Sequence, residues 1–285
     1  MLEKNDDKNY AYLAAHLQTI RSVKDLLDAL SGQGIEAIIL KGLYLAIAIY
    51  PDLIRQPGSD IDLLVKRGDA LKTQTILNSL GWQESSGVLS DLVNHNKPLA
   101  LNSLMYFNPD SLVSLHLHWH IINTTWPLNS YVRNIDMAEI WQAASAGSLD
   151  GAPVKELNPE HLVIYLCYHG FTHNFAKPVY VDDIKNALAR FKDDINWEHL
   201  YRQADKWGLR WLVDYCLKYV EKPGIGRYSK TYWHYCYQEK GLAGKILFLY
   251  RTFFPNKIIM AAVNGLPLER IGFKFYLDRL GNIRR

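Results

Sequence analysis

Two short apolar runs, IEAIIL at 35–40 and DIDLLV at 60–65, constrain this chain most. Each is too short for a helix, rich in isoleucine and leucine, and bounded by turn-forming residues, which is the pattern of a buried strand. Lys41-Gly42 ends the first run. Residues 43–50 then read as a short helix closed by Pro51, and Gln56-Pro57-Gly58-Ser59 is a turn that feeds the second run. Two buried strands flanking one helix need further strands to shield them, so the expectation is a sheet with helices packed on it.

The flanking sequence supplies those elements. Leu13, Leu17, Ile20, Val23, Leu27 and Leu30 recur at spacings of three and four, one face of an N-terminal helix ending at Gly32/Gly34. Residues 69–80 predict a helix stopped by Gly81. Residues 101–107 and 112–122 predict strands joined through Asn108-Pro109-Asp110. Asp136 caps a short helix, with Glu139 placed as in a capping box. After Leu149-Asp150-Gly151 the pattern changes. Asn158-Pro159 is a helix start, and 159–174, 179–191, 197–207 and 209–220 are all helical by period. The expected class is therefore α/β (α+β): a small mixed sheet with helices over 1–150, then a helical domain over 151–285. No internal repeat is present.

Composition excludes several alternatives. With 48% hydrophobic and 21% charged residues the chain is not disordered or collagenous. Its longest apolar stretch, 245–263, is broken by Arg251, Pro255, Asn256 and Lys257, so no transmembrane segment is expected. Cys167, Cys216 and Cys236 make neither a zinc spacing nor a disulfide framework, and no apolar signal core follows the N-terminus; a reducing cytoplasm is expected. The net charge of +3 is uneven: residues 221–285 hold 12 Lys/Arg against 4 Asp/Glu. That basic quarter is either a solvated face or a surface for an anionic partner.

Asp60 and Asp62 stand two apart on a strand, so both carboxylates share one face. Two adjacent carboxylates repel unless a cation neutralises them. The pair is either two acids on an exposed strand edge or a site for a hard divalent ion that also takes substrate phosphates. Lys41 and Gly42 at the strand-to-helix break, and Arg55 and Ser59 just before the pair, are suited to phosphate oxygens.

The run LKGLYLAIAIYPDLIRQPGSDIDLLV, residues 40–65, resembles the signature of the DNA polymerase beta-like nucleotidyltransferase superfamily. Within it, the chain is similar to an uncharacterised bacterial family marked by Leu-Lys-Gly, an arginine and Asp-Ile-Asp-Leu-Leu-Val. The likeness continues in LHLHWHI (115–121), HLVIYLCYHGFTHNF (161–175), DDIKNAL (182–188), Asn196-Trp197-Glu198 and the terminal LFLYRTFFP and YLDRL segments. The resemblance implies a metal-dependent transfer of a nucleoside monophosphate from an NTP to an acceptor, with Mg²⁺ or Mn²⁺. It places Asp60 and Asp62 on the metal and Lys41, Gly42, Arg55 and Ser59 on the nucleotide. The superfamily's third acid falls on His116, and no Asp or Glu lies between Leu112 and Asp136. An imidazole can act as base or as metal ligand, and it favours Mn²⁺ over Mg²⁺. The alternative is a catalytically weak nucleotide-binding or partner-binding protein on the same fold. The acceptor is expected to be anionic: an RNA, a phosphorylated metabolite or a peptide.

The remaining histidines fall in two groups. Ser114, His116, His118 and His120 alternate onto one strand face. His169 and His173 are one helical turn apart and continue an apolar face, so they point inward. They form either a structural network with Asp183 or a pair reaching the nucleotide phosphates.

Overall fold

The computed structural model describes residues 3–50, 61–85, 102–122, 134–173, 175 and 177–221. Helix α1 (Glu3–Gly32) leads into strand β1 (Ala37–Lys41), helix α2 (Leu43–Ala48) and strand β2 (Ile61–Val65). A single 3-10 turn, Arg67–Asp69, opens α3 (Ala70–Ser79). Strands β3 (Gln83–Glu84), β4 (Ser103–Asn108) and β5 (Val113–His118) follow, then α4 (Met137–Ala143) and the strands β6 (Ser145–Leu149) and β7 (Ala152–Glu156). Four helices complete the described chain: α5 (Pro159–Thr172), α6 (Val179–Arg190), α7 (Trp197–Trp207) and α8 (Arg210–Glu221). No helix among the described residues is long and apolar enough to cross a membrane.

The seven strands form one sheet in the order β3-β4-β5-β2-β1-β7-β6. β2 runs antiparallel to β1 and parallel to β5, while β1 runs parallel to β7. β2 is therefore central, and all five of its residues are buried. Asp62 therefore does not lie on an exposed strand edge, because a central strand covered on both faces exposes neither row of side chains.

The local chemistry of the elements is visible at their ends. Asn108 accepts the backbone N–H groups of Asp110 (3.0 Å) and Ser111 (3.1 Å), which closes the β4–β5 hairpin. Asn158 accepts from His161 N–H and Asn196 from His199 N–H, each at 3.0 Å, capping α5 and α7. Asp136 caps α4 by accepting from Ala138 N–H at 2.8 Å. Glu139 does not complete the expected capping box; its carboxylate pairs with Lys206 and accepts from Gln203 on α7.

The β6–β7 hairpin turns through Asp150 (φ 50°) and Gly151 (φ 85°), both left-handed, as a two-residue loop requires. It runs across residue 150, so the sheet ends at Glu156 and the helices begin at Pro159. In α1, Val23, Leu26, Leu27 and Leu30 are buried, whereas Leu17 is 57% exposed. The buried side chains form one apolar cluster from α1 through the sheet to α8. Full burial of one such leucine or isoleucine contributes about 1.5–3 kcal/mol.

Candidate functional site: a carboxylate, two imidazoles and an ammonium on one sheet face

Register decides which side chains meet. On the parallel β2–β5 ladder Asp62 lies opposite His116 and Leu64 opposite His118. On the antiparallel β4–β5 ladder Met105 opposes His116 and Ser103 opposes His118. Alternation then puts Ser103, His116, His118 and Asp62 on one face. Lys41 joins them through an irregularity. The β1–β2 ladder runs regularly from Ala37↔Val65 to Ile39↔Leu63 and then pairs Lys41 with Asp62, a bulge with one extra residue on β1.

Asp62 is the hub. Its Oδ1 lies 2.9 Å from His118 Nε2 and 3.5 Å from His116 Nδ1, and its Oδ2 forms an ion pair with the Lys41 ammonium. Burial alone would push its carboxyl up. The Lys41 charge and the two imidazoles outweigh that and hold it well below the usual carboxylate range. Burial, with the neighbouring His116, lowers His118 to about 4, so its imidazole is neutral at pH 7. His118 Nδ1 is buried with no hydrogen-bond partner among the described residues. Behind His116, Ser103 Oγ lies 2.7 Å from Nε2 and fixes the ring.

These groups fit a divalent ion. Asp62, His116 and His118 each offer one ligand atom, all within 4.8 Å of one another. The set mixes one anionic oxygen with two nitrogens, donors that first-row transition ions accept more readily than Mg²⁺ does. Ser103 on the far nitrogen of His116 is the kind of outer partner that aims a ligating imidazole.

Asp62 and His116 come together, while Asp60, Arg55 and Ser59 lie outside the described residues. Lys41 forms an ion pair with Asp62. Gly42 is buried at φ 73° and ψ −118°, a backbone region open to glycine, and turns the chain from β1 into the six-residue α2. His118 joins the site from the same strand face as His116, and the alternation of the three histidines is the sequence signal for it. His120 lies past the end of β5, buried, and its Nδ1 accepts from Ile122 N–H at 3.0 Å.

His169 and His173 stack among aromatic rings at the end of α5. Their ring centroids are 4.5 Å apart, and each lies 5.2 Å from Tyr180 of α6. Desolvation first, and the Lys41 charge second, lower both pKa values; His169 is half-buried, whereas His173 is exposed and does not point inward as its helical spacing predicts. Asp62 also acts on both electrostatically, which places this end of α5 near the sheet site. Asp183 of α6 is buried and accepts from the Tyr50 hydroxyl at 2.6 Å. Burial raises its pKa to about 6.

No curated protein matches this chain. Among solved structures, ANT(2'')-Ia in complex with adenylyl-2''-tobramycin is 15% identical, with a TM-score of 0.44, over 68% of this chain and 98% of that one. An antigenic nucleotidyltransferase-like protein from Paracoccidioides brasiliensis is 16% identical, also with a TM-score of 0.44, over 74% of this chain and 90% of that one. A family model described as "uncharacterised nucleotidyltransferase" matches residues 3–223, most of the chain and all of the site above, and the protein belongs to that nucleotidyltransferase family.

Proposed function

We propose that this protein transfers a nucleoside monophosphate from an NTP to an acceptor hydroxyl or phosphate and releases pyrophosphate. The observation that carries the reading is the convergence of Asp62, His116, His118 and Lys41 on one buried sheet face in a nucleotidyltransferase-family chain. In the reaction the acceptor oxygen bonds to the α-phosphorus while the bond from that phosphorus to the bridging oxygen of pyrophosphate breaks. Asp62, His116 and His118, with Asp60, would hold a divalent ion, which when bound neutralises phosphate charge and activates the acceptor oxygen.

The chain's own residues supply the rest. Lys41, Arg55 and Ser59 would bind the triphosphate through charge-assisted hydrogen bonds. His116 stands in the place of the superfamily's third acid, with Nε2 on Ser103 and Nδ1 toward the site. Held that way it offers one nitrogen, either as ligand or as acceptor of the hydroxyl proton. Lining near α5 by His169, His173 and Tyr180 offers neutral aromatic surface, suited to a base or sugar rather than to phosphate. The basic segment 222–285 would favour an anionic acceptor.

A second reading has one observation in its favour. The Lys41 ammonium already satisfies Asp62 without any metal, as in a protein that binds nucleotide and turns it over weakly. One experiment separates the two. NTPs labelled at the α-phosphate are incubated with the protein, Mg²⁺ or Mn²⁺, and RNA, metabolite and protein fractions in turn. Label transfer with Mn²⁺ that is lost in Asp62→Asn and reduced about 10²–10⁴-fold in His116→Ala supports transfer. Nucleotide binding with no transfer to any fraction supports the weak binder.

A further inference from the structure

Lys41 has a position that nucleotide binding alone does not explain. A regular β1–β2 ladder continued from Ile39↔Leu63 would set Leu40 against Asp62 and turn Lys41 to the opposite face, across from Ile61. The bulge advances β1 by one residue and brings Lys41 onto the face of Asp62 instead. The ammonium ends on Oδ2, the side of the carboxylate away from the imidazoles. Both side chains are largely withdrawn from water, 13% and 2% exposed.

Charge balance gives this placement a consequence. Lys41 cancels the charge of Asp62 before any metal arrives. The described cluster, one carboxylate and one ammonium beside two imidazoles, then has no net negative charge to receive a dication. Excess positive charge in a partly desolvated site is strongly unfavourable. A triphosphate removes it, because it brings several negative charges and offers the Lys41 ammonium new oxygen partners.

We propose that Lys41 is a built-in counter-ion that couples the two ligands of this site: it occupies Asp62 until a nucleoside triphosphate draws the ammonium away, so that divalent metal binds tightly only together with nucleotide. The inference rests on the nucleotidyl transfer reading and adds to it an order of loading. Coupling of this kind is reciprocal, so metal must tighten nucleotide by the same factor that nucleotide tightens metal.

Calorimetry with Mn²⁺, in the presence and absence of the α,β-methylene analogue of ATP or of GTP, tests it on the full chain. Chelation of Mn²⁺ by the analogue in solution is the same for every variant and cancels between them. The wild-type protein should bind Mn²⁺ about 5–150-fold more tightly with analogue than without, the usual range for coupled sites. Lys41→Gln should bind Mn²⁺ alone more tightly by a similar factor and lose most of the dependence on analogue, while Lys41→Arg should keep it. A folded Lys41→Gln whose coupling matches wild type overturns the proposal, as does a wild type that binds Mn²⁺ equally well without analogue. Should Lys41→Gln fail to fold, visible absorption of Co²⁺ on the wild-type protein decides. Bands that appear only with analogue support the coupling, and bands of equal strength without it overturn the coupling. A protein that binds no analogue at any metal concentration loses the transfer reading as well. One that transfers nucleotide with coupling unmoved in Lys41→Gln loses only this inference.

Discussion

Removing either member of the Lys41–Asp62 pair should destabilise the metal-free protein much more than removing both. Asp62 is 2% exposed and Lys41 13%, so in each single variant a charge is left behind that water does little to solvate. Breaking a buried pair from one side typically costs about 3–5 kcal/mol. Lys41→Met should fall at the lower end, because Asp62 keeps His118 Nε2 at 2.9 Å. Asp62→Asn should fall there too, because the long lysine stem lets the ammonium shift toward water. The double variant removes both charges and should lie within about 1–2 kcal/mol of wild type, since neutral replacement of a buried pair is often tolerated. With singles near about 3 kcal/mol and the double at most about 2, the cycle should then give a coupling energy of about 4 kcal/mol. Urea unfolding followed by circular dichroism near neutral pH, with chelator present, measures all four proteins. Repulsion between Asp60 and Asp62, taken alone, gives the opposite sign for Asp62→Asn, a stabilised metal-free protein. A stabilised Asp62→Asn, or a coupling below about 0.5 kcal/mol, would refute the ion pair as the force that holds Asp62.

Away from the site, His161 is buried against Trp207, with ring centroids 5.1 Å apart, and burial lowers its pKa from 6.5 to about 4. Its folded-state pKa lies below the unfolded value, so stability is intact above pH 6.5 and is lost as pH falls toward 4. Wild type should therefore lose about 2 kcal/mol more than His161→Phe between pH 7 and pH 5 in urea unfolding, and parallel curves would exclude His161 as the cause. Tyr50→Phe removes the hydroxyl that donates to buried Asp183 and should cost about 1–3 kcal/mol in the same assay, with no change marking the contact as idle. Glu139→Gln breaks a half-exposed pair with Lys206 and should change stability by less than about 1 kcal/mol; a larger loss would make this bridge between α4 and α7 structural.

Much of the fold follows from local pattern. The four helices after Glu156 are readable from their period, and at the first of them the cap agrees: Asn158 accepts the N–H that the sequence assigns it, as Asn196 also does at α7. The β4–β5 hairpin was readable for a similar reason, since Asn108 holds its own turn. β6 was not. SAGSL carries no β-branched residue and no alternation, so the strand exists through its partner β7, and Asp150-Gly151, read only as a change of pattern, is the turn between them. Glu139 is a further case. Its spacing from Asp136 fits a capping box, but a lysine and a glutamine from α7 compete for the same carboxylate and win.

The site divides along the same line between local and long-range information. Alternation within β5 places His116 and His118 on one face whatever lies beside them, and alternation within β2 aims Asp62 in one direction. Which faces coincide depends on register between strands far apart in sequence, and no local pattern sets it. The β1 bulge shows how much rests on one residue. Without it Leu40 would face Asp62, and the carboxylate would keep the imidazoles but lose its ammonium. A lysine next to a glycine at the end of a strand reads equally well as a phosphate ligand or as a partner for a carboxylate, since both uses need the same charge at the same place. The bulge favours the second use in the absence of substrate, and a bound triphosphate would favour the first. The same side chain can then serve both in turn, first as the partner of Asp62 and then as a ligand of the triphosphate.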